Sequence, residues 1–219
     1  MQRSGVVSGE IRPIYQPMPR ITGPAVTVAL HDGSFFHVLK IGMEMTRAGD
    51  VLVIAGRGNT HYAMLGGNVC TGLMHRGVAG AIVDGAVRDV EQTQKAGFAV
   101  HARGLAINAG PMEGPGEVNV PVAFGGTVIF PGDIIVADME GIVAVPPAHA
   151  AAVLERVDAL QAGFARLQPA LERGEITNIA AIREKLVAAG CAIIPGRYSP
   201  EADRAGVETS GDGSGYEVE

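Results

Sequence analysis

Residues 51–55 and 79–83 are two short apolar runs with no polar interruption, and a segment of helical period separates them. Runs of this kind suit strands buried on both faces, which is the situation of a parallel sheet. Parallel neighbours cannot be joined by a tight hairpin and need a crossover, normally a helix. The surrounding sequence supplies what that requires. A strand is expected at residues 25–30. After it, Phe35, Val38, Leu39, Gly42 and Met45 recur at helical spacing, with Asp32 and Ser34 as caps and Gly49 as the stop. A second helix is expected from about Asn68 to Arg76, ended by Gly77, and a third from Arg88-Asp89 to near Gly97. Strand and helix alternating at this spacing imply parallel pairing with right-handed crossovers.

The second half has a different grammar. Residues 98–102, 118–123, 126–130, 134–137 and 142–145 are short strands separated by turns, with almost no helix between them. They are expected to form an antiparallel or mixed sheet behind the first. Residues 56–60 are expected to be a flexible loop, and Asp84-Gly85 to break the strand before it. The fold class is therefore α/β, a three-layer β/β/α domain. With 31 glycines and only 5% aromatic residues, its core must come from Val, Ile, Leu and Ala. A long helix is expected from Pro146-Pro147 to about Gln168, with Val153, Leu154, Val157 and Leu160 on its inner face, and another over residues 178–189. Residues 1–195 are read as one domain with C-terminal helices, and residues 196–219 as an acidic, Gly-rich tail expected to be disordered.

Charge excludes one class of function. The net charge is -6, and six acids against one base fall after Ser199. The body is near neutral without a Lys/Arg cluster, so direct binding to nucleic acid is not expected. Residues 1–10 lack the apolar core of a signal peptide, and no run of eighteen apolar residues occurs, so neither export nor a membrane span is expected. Cys70 and Cys191 have no Cys or His at metal-ligand spacing. Cys70 falls on an apolar helix face as a buried, reduced thiol, which fits a cytoplasmic protein.

The chemistry concentrates at two places. Gly66 and Gly67 precede Asn68 and Val69 at the start of a helix, where exposed N–H groups and the positive helix end attract an anion. An ordinary glycine-rich helix entry explains the same residues. Arg88 and Asp89 fall at the carboxyl edge of the next strand, where ligand sites gather in open α/β sheets. The guanidinium can bind a carboxylate or carbonyl oxygen and the aspartate a hard cation; a helix-capping ion pair is the alternative. His61 could serve as an acid or base near this edge, or be an ordinary loop histidine. No nucleophile elbow, Walker loop or dinucleotide glycine pattern occurs.

Residues 66–69, 76–80 and 83–89, taken in order with residues 23–28, 48–53, 118–122 and 131–133, resemble the signature of the RraA-like proteins. The likeness runs from about Gly5 to Ala189. Residues 174–175 and 182–186 are especially similar to the class II aldolases of that family, which act on 4-hydroxy-4-methyl-2-oxoglutarate and 4-carboxy-4-hydroxy-2-oxoadipate. The resemblance implies a swivelling β/β/α domain assembled as a homotrimer or hexamer. It implies a lyase that releases pyruvate from a 4-hydroxy-2-oxo acid and decarboxylates oxaloacetate. Arg88 would bind the pyruvyl group and steady its enolate, Asp89 would hold Mg²⁺ or Mn²⁺, and the amides at Gly66, Gly67, Asn68 and Val69 would hold the substrate carboxylate. Three departures accompany it. Gly67 stands where many of the aldolases carry an acid, and Gln92 where a further acid is frequent. The extra helical segment with which relatives usually start is not expected before residues 5–15. Glu175 or His61 could take over proton transfer. The alternative the resemblance offers is a non-catalytic protein that binds and inhibits a ribonuclease.

Overall fold

The computed structural model describes residues 5–31 and 35–193. The caps expected at Asp32 and Ser34, and the tail from residue 196, lie outside them. The chain divides into two units, Met1–Asp158 and Ala159–Glu219.

In the first unit the strands are β1 (Arg12–Pro13), β2 (Ile21–Leu30), β3 (Val51–Leu65), β4 (Gly80–Val87) and β5 (Ala99–Leu105), followed by β6 (Gly116–Val118), β7 (Val122–Phe124), β8 (Thr127–Ile129), β9 (Ile134–Ala137) and β10 (Ile142–Val145). Three helices, α1 (Phe36–Met45), α2 (Gly67–His75) and α3 (Val90–Ala96), occupy the crossovers between β2, β3, β4 and β5. Those four strands are parallel to one another. β5 thus joins the parallel sheet rather than the later antiparallel strands, because α3 is itself a crossover. The first half of β2 pairs antiparallel with β9, and β9 with β10, so one long strand is shared by two sheet regions. β7 and β8 form a separate hairpin.

Alternation along β3 shows the layering. Val51, Val53 and Ala55 point into a core with Val122, Phe124, Ile129 and Ile135, while Leu52 and Ile54 point into another with Leu39, Cys70, Leu73 and Phe98. The parallel sheet therefore has helices on one face and the later strands on the other, the β/β/α arrangement. Each fully buried Leu, Ile or Phe contributes about 1.5–3 kcal/mol.

Two expected breaks are absent. β3 continues through residues 56–60, and β4 through Asp84 and Gly85. Ile54 pairs with Val83 and Asn59 with Gly85, so residues 55–58 stand opposite Asp84 alone. The bulge is absorbed where Arg57 and Gly58 take left-handed φ of 55° and 74°. Gly85 is in the strand because the bulge crowds it: a β-carbon there would lie 2.6 Å from the Met64 sulfur and 2.9 Å from the Asn59 carbonyl oxygen. A residue read as a turn signal is instead a close-approach residue.

Helix α4 (Ala150–Glu172) follows a short 3-10 turn at Pro147–His149 and buries none of its residues. Its expected inner face is exposed, Leu154 at 63% and Leu160 at 55%: helical spacing predicts the helix without specifying what it packs on. The second unit also contains α5 (Ile179–Ala188), entered through Asn178 in the left-handed region. Among the described residues, no helix is long and apolar enough to cross a membrane.

Candidate active site

The register of β3 against β4 builds the site. Leu65 pairs with Val87 at the carboxyl ends of the two strands, so Gly66 and Arg88 leave the sheet side by side. The Arg88 amide donates to the Leu65 carbonyl at 2.9 Å. Gly66 then leads into α2 with extended backbone, and Asp89 leads into α3 in the left-handed conformation, φ 60° and ψ 45°. That region is uncommon for a side-chain-bearing residue, though aspartate is among those that tolerate it best.

This backbone turn sends the Asp89 side chain toward α2. Its Oδ2 accepts a hydrogen bond from the Gly67 amide at 3.0 Å. The first bond of the α2 ladder runs from the Cys70 amide to the Gly66 carbonyl, so the amides before Cys70 lie outside that ladder. Asp89 satisfies one of them as an N-cap residue does, but from another helix. Of the α2 amides expected to receive a substrate carboxylate, Gly67 is therefore engaged within the protein. Arg88 Nε stands 3.7 Å from Asp89 Oδ2, and both side chains are 44% exposed. The ion pair, one of the two alternatives in the sequence, is present, and it is open to solvent. A β-carbon at position 66 would sit 2.8 Å from Asp89 Oδ2 and 3.1 Å from Arg88 Nε, so a side chain there would displace this pair.

Beside this pair lies a cleft of about 240 Å³, whose lining includes Gly66, Asn68, Val69, Arg88 and Asp89. Its remaining wall includes Phe36, Met64, Ala109 and Met112. The segment after β5 closes one side and is tied down twice, by the Ala63 amide on the Asn108 carbonyl at 2.8 Å and the His37 amide on the Met112 carbonyl at 3.0 Å.

Gly67 and Gln92, two of the three departures from the aldolase pattern, are neighbours. A β-carbon on Gly67 would meet Gln92 Oε1 at 2.4 Å, and Gln92 Nε2 donates to Asn68 Oδ1 at 2.9 Å. Gln92 thus fills the space that a side chain at position 67 would take. His61 is an exposed residue of β3 outside the cleft lining. Glu175 belongs to the second unit, where it pairs with Arg173 at 2.6 Å. Cys70 is buried and free, as expected, and burial pushes its thiol up to about 11. Burial also lowers the pKa of His101, whose Nε2 lies 2.7 Å from the Asp138 carbonyl oxygen.

One charged cluster gave no signal in the sequence. Asp84, 5% exposed, pairs with Arg103, which also pairs with exposed Glu10. The Asp84 hydrogen bond holds the guanidinium more firmly protonated than usual. These three residues are distant in the chain, and only the β4–β5 pairing and the N-terminal segment bring them together.

The family model described as "RraA-like: Aldolase/RraA" matches residues 1–144. The chain belongs to the RraA-like family. A relative from Halalkalibacterium halodurans named "Putative 4-hydroxy-4-methyl-2-oxoglutarate aldolase" is 36% identical over 167 residues, 76% of this RraA-like chain and 77% of its own length. The "4-hydroxy-4-methyl-2-oxoglutarate aldolase" of Thermus thermophilus is 36% identical over 104 residues, 48% of this chain and 63% of the relative. Among solved structures, Streptomyces coelicolor RraAS2, described as an unusual member of the RNase ES inhibitor RraA protein family, superposes with a TM-score of 0.66 at 26% identity, covering 74% of this chain and 83% of that one. The RNA-processing inhibitor RraA of a Thermus species gives 0.59 at 28% identity, covering 66% and 87%.

Proposed function

We propose that this RraA-like protein is a divalent-metal-dependent lyase of the class II type. It would cleave a 4-hydroxy-2-oxo acid to pyruvate by retro-aldol reaction and also decarboxylate oxaloacetate. The observation that carries the reading is the pairing of Arg88 and Asp89 with the start of α2 at the mouth of an apolar cleft. The aldolase names of the relatives support it.

The donor set fits a hard cation. Among the described residues no group of three His, Cys, Asp or Glu could enclose a metal, which speaks against a caged site. Mg²⁺ commonly keeps several waters and takes only one or two carboxylates together with its substrate. Asp89 suits that role, because Oδ2 bonds the Gly67 amide and Oδ1 has no protein partner among the described residues. When bound, Mg²⁺ or Mn²⁺ supplies positive charge that polarises the 2-oxo group. Arg88 would bind the pyruvyl group and the oxygen on which enolate charge grows. The start of α2 beyond the engaged Gly67 amide would hold the substrate carboxylate. In the retro-aldol direction the C3–C4 bond breaks, its electron pair passes to the enolate, and the C4 hydroxyl loses a proton. Among the described residues Asp89 is the single carboxylate of the cleft lining, and neither Gly67 nor Gln92 can accept that proton. Decarboxylation of oxaloacetate makes the same enolate but releases CO₂, so it needs no such acceptor. It is the less demanding of the two reactions for this site.

The reading includes a homotrimer or hexamer in the cytoplasm. Leu105 and Ile107, 62% and 87% exposed beside Arg88, support association. A lactate-dehydrogenase-coupled assay with oxaloacetate and Mg²⁺ tests the activity. Pyruvate release that disappears in Asp89→Ala is expected; an inert wild type, or full turnover by the variant, would overturn the proposal.

A second reading, a binding protein that inhibits a ribonuclease, is favoured by the missing acid at Gly67 and by the inhibitor descriptions of two structural relatives. Inhibition of a purified endoribonuclease without metal-stimulated lyase turnover would select it.

A further inference from the structure

Asp89 directs its carboxylate at α2 through an unfavourable backbone conformation. Its φ of 60° and ψ of 45° are left-handed, a region that crowds any residue with a β-carbon. Such a conformation persists only where the surrounding structure determines it more than once. An N-cap residue ordinarily has extended backbone and turns its side chain onto its own helix. Asp89 does neither: it caps no amide of α3, and its Oδ2 accepts from the Gly67 amide of α2. The start of α3 is held instead through the Asp89 carbonyl. That oxygen accepts two bonds from Thr93, one turn on, from its amide and from its hydroxyl Oγ1, each at 3.0 Å.

Thr93 is 0% exposed and does not line the cleft. The buried face of a helix is ordinarily apolar. A hydroxyl at full burial needs a partner, and here that partner is the Asp89 carbonyl. Helical threonines commonly bond the carbonyl four residues back. The particular feature is that this carbonyl belongs to a left-handed residue whose side chain faces the cleft. From this we infer that Thr93 is a positioning residue: its hydroxyl pins the Asp89 peptide and so keeps the carboxylate at the start of α2, poised for a divalent cation. The inference rests on the proposed role of Asp89 as the metal ligand. Without the hydroxyl, the Thr93 amide still starts α3, so the helix is retained. The Asp89 turn then has one tie fewer and is free to relax toward right-handed backbone, which swings the carboxylate away from Gly67.

Titration of the full chain with Mn²⁺, read from the electron paramagnetic resonance signal of the free ion, tests the inference without relying on turnover. Thr93→Val keeps the shape of the side chain and loses the hydroxyl. It is expected to weaken Mn²⁺ binding roughly threefold to tenfold, the range of one hydrogen bond. Thr93→Ser keeps the hydroxyl and is expected to bind Mn²⁺ as the wild type does. Urea midpoints of the same samples separate positioning from support of the fold. A valine variant with a lowered midpoint and unchanged Mn²⁺ affinity would overturn the inference and leave the metal reading standing. Equal weakening in Thr93→Val and Thr93→Ser would overturn it too, since the lost packing and not the hydroxyl would then be responsible. Should Thr93→Val not fold, Thr93→Ala makes the same comparison with Thr93→Ser. If the wild type takes up no Mn²⁺, or Asp89→Ala takes it up equally well, the metal reading falls and the inference with it.

Discussion

Asp89 Oδ2 caps the amide of Gly67, 22 residues earlier in the chain, at 3.0 Å. The same side chain is proposed as the metal ligand, so position 89 couples the stability of α2 to the chemistry, and substitutions there can separate the two. Asp89→Asn retains an acceptor for the Gly67 amide and tolerates left-handed backbone. Asp89→Ala loses the acceptor and is strained at φ 60°. Loss of a cap costs about 0.5–2 kcal/mol. The alanine variant is therefore expected to lose roughly that much stability in urea denaturation and the asparagine variant clearly less, while both lose pyruvate release. Equal stability losses for the two variants would show that the cap contributes nothing.

Gly67 and Gln92 form a coupled pair. Gly67→Ala sets a β-carbon against the exposed Gln92 side chain, which must move to admit it. Truncating Gln92 to Ala removes the two nearest atoms, Oε1 and Cδ at 2.4 and 2.6 Å, leaves Cβ at 2.8 Å, and so relieves part of the contact. A double-mutant cycle is expected to give a favourable interaction energy of at least about 0.5 kcal/mol; additive losses would contradict the contact.

Gln92→Glu restores a titratable group beside the start of α2 at unchanged size. The retro-aldol reaction needs an acceptor for the hydroxyl proton and decarboxylation does not. Cleavage of a 4-hydroxy-2-oxo acid is thus expected to rise relative to oxaloacetate decarboxylation, by roughly a hundredfold where the new carboxylate reaches the proton, the lower end of general-base contributions. Parallel pyruvate assays on both substrates read the ratio. An unchanged ratio would mean that the side chain at 92 does not reach the proton.

Cys70 gives a pH-dependent prediction. Burial is the largest cause of its raised pKa, and the folded protein keeps the thiol protonated up to about 11, against 9.0 ordinarily. Between those values the unfolded chain has released the proton and the folded chain has not, so stability falls as pH rises from about 9 to about 11. Below pH 9 the contribution is fully present. Urea midpoints across this range are expected to decline less in Cys70→Ala than in the wild type. At pH 8 a thiol reagent is expected to modify exposed Cys191 promptly and Cys70 only on unfolding.

Much of this was legible in the sequence, for physical reasons. Buried apolar runs at residues 51–55 and 79–83, with helical spacing between them, left few alternatives to a parallel sheet, and its carboxyl edge located Arg88 and Asp89. What escaped depends on distant residues. The bulge opposite Asp84 keeps β3 paired through residues that look like a loop, because pairing is decided by the neighbouring strand and not by local composition. The helix before Phe98 is legible, but the short apolar run after it looks like the antiparallel strands that follow, so β5 was grouped with the wrong strands. The hydrogen bond from Gly67 to Asp89 follows from two adjoining strand ends, and no spacing rule reports it.

The Asp84–Arg103–Glu10 cluster allows a sharp comparison, because one guanidinium has one buried partner and one exposed partner. Arg103 is 20% exposed, Asp84 7% and Glu10 74% by side chain. Removing Asp84 leaves a largely buried positive charge without its closest counter-charge and frees the Gly125 amide, which donates to Asp84 Oδ2 at 3.3 Å. Breaking such a pair from one side costs about 3–5 kcal/mol. Removing Glu10 breaks a solvent-screened contact worth about 0–1 kcal/mol. Asp84→Ala is therefore expected to lower the urea midpoint severely and Glu10→Ala only slightly. Asp84→Ala combined with Arg103→Met is expected to recover part of the loss, because the unpaired charge is then gone. If the double variant is no more stable than Asp84→Ala alone, the loss comes from the Gly125 contact and packing around β4 and not from the uncompensated guanidinium.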